Sequence, residues 1–348
     1  MISRLFLKNF RNHADFSAEF SARGALFVGK NGAGKTSILE SIFLLSHLKS
    51  FRAKSADQFL RRDADFGEIA AENDGDEILF RAARRPRRGT ALFWRGQKVS
   101  TTAFLAKKNL FATLFSPEDL FLPFAPPDRR RRFLNRILFP LDARLFAAAR
   151  QFEKILNSRN ALLKRIFEKK AGRDELKFFD QKFCSISEKI TKNRAHFLAE
   201  ISEEIAENYQ KIARKSEKLK IVFLPSAAEN LPEKLNKNFV LDCARGSTGF
   251  GAHRDDFCFF LRDEKLTEIA SRGEIRSAIL ALKMAEKNFL AKKTGKTPIL
   301  LLDDVFSELD ADRRRHLTDF FDDSQIFATA TDPPKRAFFG KDFPILNL

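Results

Sequence analysis

Apolar residues recur along the chain with two different periods, and the switches between them mark out its elements. Near the start Phe16, Ala18 and Phe20 alternate with polar neighbours, as on a half-buried strand. Ala25-Leu26-Phe27-Val28 is an unbroken apolar run of the kind buried on both faces of a sheet, and behind it Ile38, Ile42 and Leu45 return at helical spacing. Ile78-Leu79-Phe80 and Ala91-Leu92-Phe93-Trp94 lie on either side of an Arg- and Pro-containing stretch at 84–89, which predicts two antiparallel strands.

From about 128 to 212 the texture changes to Lys/Arg/Glu-rich segments with helically spaced apolar residues. Leu145, Phe152, Leu156, Leu163 and Phe167 form one stripe, and Phe183, Ile186, Ile190, Phe197, Ile201 and Ile205 form another; two packed helices account for both. Strand character returns at 257–261. A helix follows through Ile275, Ile279, Leu282 and Phe289, then a strand at 299–302, a further helix and a last strand at 325–328. The pattern predicts an α/β domain built from both chain ends and interrupted by a helical insertion. One lobe is expected from 1–115 and 246–348, and an α-helical lobe from 116–245.

Charge narrows the partners. The chain of 348 residues carries a formal charge of +17, an excess that points to an anionic partner, nucleic acid ahead of a membrane surface. Cys184, Cys243 and Cys258 are odd in number, far apart and without a C-x-x-C pair, which argues against a disulfide framework or zinc site and for a reducing cytoplasm. The start lacks a long apolar segment, and no later run approaches the roughly 18 uninterrupted apolar residues of a membrane helix. A cytoplasmic protein without a membrane partner is the expectation.

Chemistry enters with Gly29-Lys30-Asn31-Gly32-Ala33-Gly34-Lys35-Thr36, which matches G-x-x-x-x-G-K-[ST] between a buried strand and a helix. The glycines let backbone N–H groups turn toward a phosphate, Lys35 supplies positive charge to the β/γ oxygens, and Thr36 offers a hydroxyl to Mg²⁺. The apolar run Ile299-Leu300-Leu301-Leu302 ends in Asp303 and Asp304; the first is placed to hold Mg²⁺ and the second to orient or deprotonate the attacking water of ATP hydrolysis. Ser271-Arg272-Gly273-Glu274 precedes a helix upstream of Asp303, the order of an ABC-type signature in which Ser271 and Gly273 face the nucleotide of a second subunit. Ser307-Glu308-Leu309-Asp310 then fits a D-loop, with Asp310 beside the partner's site. The fold class expected is an α/β, ABC-type P-loop ATPase lobe with an inserted α-helical lobe, binding ATP and Mg²⁺ as an ATP-dependent homodimer.

Further stretches resemble one family. Leu7-Lys8-Asn9-Phe10-Arg11-Asn12, Phe115-Ser116-Pro117-Glu118-Asp119-Leu120 with Arg130–Leu134, Gly251-Ala252-His253-Arg254-Asp255-Asp256, and Leu302–Asp310 occur in this order and resemble the signatures of the RecF family, relatives of the SMC-type ATPases. The resemblance puts Arg11 and Asn12 near nucleotide. It also implies a slow ATPase that clamps DNA at single-stranded/double-stranded junctions or gapped duplex. The implied partners are RecO and RecR, with loading of RecA, in recombinational repair, replication and the SOS response to DNA damage.

Four positions depart from the family pattern: Ala252 replaces Pro, Ala125 Gly, Asn135 Asp, and Glu274 the Gln of S-x-G-Q. A carboxylate at 274 would repel a partner's γ-phosphate and weaken dimerisation. His253 and Arg254 serve either a structural network or nucleotide sensing. Arg84, Arg85, Arg87, Arg88 and Arg129 to Arg132 are candidate contacts to DNA phosphates. Three other readings compete. A transporter ATPase subunit is opposed by the distance from phosphate loop to signature, and a long SMC by the short insertion. A nucleotide-gated DNA-binding module with negligible hydrolysis differs in the work of Asp304.

Overall fold

In chain order the elements begin with β1 (Ile2–Phe10), β2 (His13–Glu19), β3 (Gly24–Val28), α1 (Lys35–His47), β4 (Phe66–Asn73), β5 (Asp76–Ala83), β6 (Gly89–Trp94), β7 (Gln97–Val99), α2 (Thr101–Lys107) and β8 (Ala112–Phe115). There follow α3 (Pro127–Leu138), α4 (Ala143–Phe167), α5 (Glu175–Ala213), β9 (Leu219–Leu224), α6 (Leu231–Lys237), α7 (Phe239–Arg245), β10 (Asp256–Leu261), β11 (Glu264–Lys265) and α8 (Leu266–Ile269). The chain closes with α9 (Arg272–Thr294), β12 (Ile299–Asp303), α10 (Val305–Glu308), α11 (Ala311–Asp319), β13 (Ile326–Ala330) and β14 (Ile345–Asn347). This computed structural model describes residues 1–348 apart from 54, 86–87, 109, 228, 309–310, 320, 322, 333–338 and 340–342.

Contacts gather the chain into two units, one of 1–121, 211–214 and 272–348, the other of 122–210 and 215–271. These bounds differ from those expected at 115/116 and 245/246, chiefly because 246–271 joins the helical unit. The cause is β10, which pairs antiparallel with β9 in a three-stranded sheet of order β11-β10-β9. Strand β9, short and set behind a charged helix, was not anticipated.

The first unit holds two sheets. Five parallel strands run in the order β14-β3-β13-β12-β8, and six antiparallel strands in the order β2-β1-β4-β5-β6-β7, where Ile78 of β5 lies opposite Trp94 of β6. Their facing side chains share one core: Leu5, Leu7, Phe27, Ile69, Ile78, Leu114, Leu301 and Phe327 meet Ile38, Ile42 and Phe43 of α1. A helix enclosed in this way is buried nearly all round, which is why Ser37, Glu40, Ser41 and Ser46 lie inside with the apolar residues. A bulge between Ile2 and Arg4 breaks the alternation of β1 and lets Ile2, Leu5 and Leu7 all point inward. At the start of β3, Gly24 has φ +92, and a Cβ there would meet the Ile326 carbonyl oxygen at 1.9 Å, so β13 can approach only because no side chain intervenes.

Lys108 is a buried cation of this unit with no carboxylate partner among the described residues. Its Nζ donates to the carbonyls of Ser46 and Leu110 and lies 4.7 Å from the Phe111 ring centroid. Burial pulls its pKa from 10.5 down to about 7. Between these values the unfolded chain holds a proton that the folded chain lacks, so Lys108 makes stability rise with pH across the window, and its penalty is largest below it. Lys108→Met is expected to raise the melting temperature at about pH 6 by several degrees, with the advantage shrinking toward pH 10. Equal gains at both pH values in thermal unfolding would count against this account.

The second unit is built on α4 and α5. Asp142 starts α4 by accepting from the amides of Arg144 and Leu145, and Pro127 opens α3 at a position where a missing N–H costs nothing. Leu145, Phe152 and Leu163 are buried as the stripe predicted, and Phe152 stacks on Phe183 at 5.0 Å. Phe167 is 63% exposed because α4 ends there, while Ile155 faces inward.

Buried arginines organise this unit. Arg159 donates to Asp180 (2.7 Å), Asp242 (3.4 Å) and the Thr248 hydroxyl (2.7 Å). Arg194 donates to Asp255 (3.0 Å), Asn135 and the Ala252 carbonyl, and burial draws its pKa down to about 10. Asp255 also accepts from Thr191 and the Ser226 amide, while Asp256 pairs in two bonds with Arg130. Ala252 donates its N–H to Ser187 (2.7 Å), a bond that the family's proline could not make. Burial drives the His253 pKa to about 4, leaving a neutral ring whose Nε2 donates to the Thr248 carbonyl (2.9 Å).

Candidate functional site: a phosphate-loop pocket

Strand β3 ends where the glycine-rich loop begins, and α1 begins where it ends, so the loop sits at the carboxyl end of a parallel sheet against a helix N-terminus. Gly34 makes the bend into α1 at φ +103, and a Cβ there would lie 2.4 Å from His13 Nε2 and 2.7 Å from Asn12 Nδ2. Both neighbours brace the loop: Asn12 donates to the Gly32 carbonyl (3.1 Å), and His13 Nε2 lies 3.2 Å from the Gly34 carbonyl. Lys35 is buried, with Nζ held by the carbonyls of Gly29 (2.5 Å) and Lys30 (3.0 Å).

The carboxylates arrive from β12, two strands away across β13. Asp303 Oδ1 accepts from the hydroxyls of Thr36 (2.8 Å) and Thr329 (2.9 Å). Burial raises the Asp303 pKa, and these two bonds pull the other way. Asp304 has φ +50, and its N–H donates to Thr329 Oγ1 (2.9 Å).

These groups edge a pocket of about 730 Å³, within the size range of small-molecule sites. Asn31, Gly32, Gly34, Lys35 and Thr36 line one part; Arg11, Asn12, Asp304, Thr329 and Thr331 line others. Gly29, Lys30 and Asp303 support the lining from behind through the bonds just described, and Ala33 donates its N–H to the Lys30 carbonyl (3.1 Å). Ser271 and Gly273 are not among the lining residues; Ser271 immediately precedes α9, and Glu274 lies buried in that helix's first turn. Asp310, the D-loop residue, lies outside the described residues.

Arg11, which the resemblance puts near nucleotide, lines the pocket. Its guanidinium binds both oxygens of buried Glu40 (2.8 and 2.6 Å) and the Gln58 carbonyl, so its charge is already matched. Further charge at the pocket belongs to residues the sequence did not flag. Arg52, Arg61 and Arg62 line the pocket with Gln58, Leu60 and Asp63, carried there by the loop before β4. Arg52 is 4.0 Å from Glu40, and Arg61 pairs with Asp63 at 3.0 Å on the pocket rim. Their signal was slight, a cluster of arginines in a loop of a basic chain.

Among the described residues no group of three or more His, Cys, Asp or Glu is arranged to hold a metal ion. The donor set at Thr36 and Asp303 is nevertheless all hard oxygen, with hydroxyl and carboxylate in contact, and it fits Mg²⁺ completed by phosphate oxygens and water.

The candidate DNA arginines separate into two groups. Arg84 gives its guanidinium to the carbonyls of Asp57, Arg61, Arg62 and Ala64, and Arg130 to Asp256, Pro123 and Ala125; both are structural. Arg131 donates to the Asp255 carbonyl (2.8 Å). Arg85, Arg88 and Arg132 are largely exposed, in surface ion pairs of the weak kind. Arg87 lies outside the described residues. Among the described residues no helix is long and apolar enough to cross a membrane.

The fold and the site together define a class, the ABC-type ATPase fold in the form found in SMC heads, and the model of the RecF/RecN/SMC N terminal domain family matches residues 1–334. A DNA replication and repair protein RecF from Caldanaerobacter subterraneus subsp. tengcongensis is 31% identical over 95% of this chain and 94% of its own. Its counterpart from Geotalea uraniireducens is 34% identical over 95% and 93%. The solved structure of the recombination mediator protein RecF-ATPrS in the RecFOR pathway superposes with a TM-score of 0.90 at 30% identity, covering 100% of this chain and 96% of that one. The chain belongs to the RecF family.

Proposed function

We propose that this protein is an ATP-binding factor of recombinational DNA repair whose pocket takes ATP with Mg²⁺ and whose ATP-bound form is a homodimer that clamps DNA. The observation that carries the nucleotide reading is the Thr36–Asp303 contact, which joins phosphate loop and acidic strand at the carboxyl ends of parallel strands. Lys35 leaves its carbonyl partners for the phosphate oxygens, loop amides and the α1 N-terminus bind the remaining charge, and Thr36 with Asp303 hold Mg²⁺. The metal, when bound, neutralises charge on the phosphates. Asp304 orients the attacking water and accepts its proton. Its short side chain, in a constrained backbone, favours slow hydrolysis suited to a switch.

Dimerisation is drawn from the signature. Ser271 and Gly273 of one copy face the nucleotide of the other, with Asp310 beside it, so that ATP joins two copies and hydrolysis releases them. Arg85, Arg88 and Arg132 serve as phosphate contacts, giving salt-sensitive affinity without base readout. The relatives' names support a place in replication and repair; action at gaps and junctions with RecO, RecR and RecA is what the family resemblance implies. Light scattering during size-exclusion chromatography tests the clamp. A dimer with ATP and gapped DNA, and a monomer with ADP, is the expected result; a monomer under saturating ATP and DNA would sink it.

A further inference from the structure

The two aspartates at the end of β12 are adjacent in sequence but differ in backbone, and both are tied to one hydroxyl, Asp303 through its carboxylate and Asp304 through its backbone N–H. Asp303 is extended and lies opposite Thr329 in the parallel register of β12 and β13. Asp304 turns into the left-handed region at φ +50, which residues other than glycine rarely occupy unless their surroundings hold them there. Thr329 is 1% exposed, and its hydroxyl is used on both sides: the proton goes to Asp303 Oδ1 at 2.9 Å, and a lone pair takes the Asp304 N–H at 2.9 Å. Asp303 Oδ1 receives the Thr36 hydroxyl at 2.8 Å as well, so Thr329 completes a chain from the phosphate loop to the backbone of Asp304, a residue that lines the pocket.

We propose that Thr329 is the positioning residue of this site, a single hydroxyl that sets Asp303 for the metal and holds Asp304 in the bend that presents it to the pocket. The inference rests on the nucleotide reading above and adds how the two acids are kept to separate tasks. Asp303 has its Oδ1 directed by two hydroxyl protons. Asp304 has its amide fixed, which fixes the direction in which its side chain leaves the strand. Without the Thr329 hydroxyl, Asp303 keeps only Thr36, and the Asp304 amide loses its acceptor and with it a restraint on the left-handed turn. Substrate binding through Lys35 and the loop amides does not pass through Thr329, so binding and turnover should separate.

The test compares Thr329→Val, Thr329→Ala and Thr329→Ser with the unaltered full chain. Thermal unfolding identifies any variant that fails to fold; Ala serves if Val does. ATP affinity is measured by calorimetry with Mg²⁺ and with EDTA, and hydrolysis in a single turnover. In Val and Ala the EDTA affinity is expected to stay within about twofold, while the Mg²⁺-dependent gain in affinity and the hydrolysis rate fall by roughly 10–100-fold, the usual range for losing a group that orients a metal ligand. Ser, which keeps the hydroxyl, should recover both to within about threefold. A folded Val or Ala variant matching the unaltered chain in both readouts overturns the inference. So does a Ser variant as impaired as Val, which would assign the effect to shape. Absence of ATP binding by the unaltered chain is a different result: it overturns the nucleotide reading itself.

Discussion

Lys35→Ala should weaken ATP binding by on the order of a hundredfold or more, since hydrogen bonds to charged groups contribute about 1.5–3 kcal/mol each and this ammonium would make more than one. The fold should survive, because the bonds lost are those to the Gly29 and Lys30 carbonyls, which incoming solvent can replace. Asp304→Asn is the informative companion: retained binding with turnover reduced by about 10²-fold or more marks Asp304 as the group that handles the water proton. If hydrolysis by the unaltered chain is already as slow as in that variant, the protein is a nucleotide-gated binding module. Equilibrium titration with a fluorescent ATP analogue and single-turnover hydrolysis read the two effects separately. Unchanged affinity in Lys35→Ala would remove the phosphate role from the loop.

The largest effect on stability is expected from Arg159→Ala in the helical unit. Arg159 is 1% exposed, Asp242 is fully buried, and Thr248 takes a third bond from the same guanidinium. Truncation leaves the Asp242 charge inside without its cation, a loss of about 3–5 kcal/mol. Adding Asp242→Asn should return part of this, because Asn keeps an oxygen for the Asn238 and Gly249 donors without the charge. Urea unfolding of the full chain, followed through its earliest transition, measures both. A loss under about 1 kcal/mol in the single variant would mean that the network is a surface-like pair and not a buried anchor. Neither variant touches the phosphate-loop pocket, so ATP affinity should change little in whatever fraction stays folded.

The half of the site that was legible in sequence is the half whose chemistry is local. A loop that wraps a phosphate must be contiguous, with glycine where φ is positive and where His13 and Asn12 crowd in, so Gly32, Gly34, Lys35 and Thr36 declare themselves. Asp303 and Asp304 were visible because a buried strand seldom ends in two acids without a use for them. Thr329 was not, since its importance comes from sheet order: β13 lies between β3 and β12, and only that adjacency brings its hydroxyl to both acids. Arg52, Arg61 and Arg62 reach the pocket through a long loop with no periodicity to read. Likewise 257–261 looked like a strand but not like a partner of 219–224, because antiparallel pairing across two short helices has no local signature. His253 and Arg254, which the sequence left between a structural network and nucleotide sensing, both bond the Thr248 carbonyl inside the helical unit.

Calorimetric titration of Mg²⁺-ATP into the purified full chain tests the central claim most directly. Saturable binding of one nucleotide per chain, lost in Lys35→Ala and retained in Asp304→Asn, is the predicted result. No saturable heat at millimolar ATP, or binding that Lys35→Ala leaves intact, would contradict it.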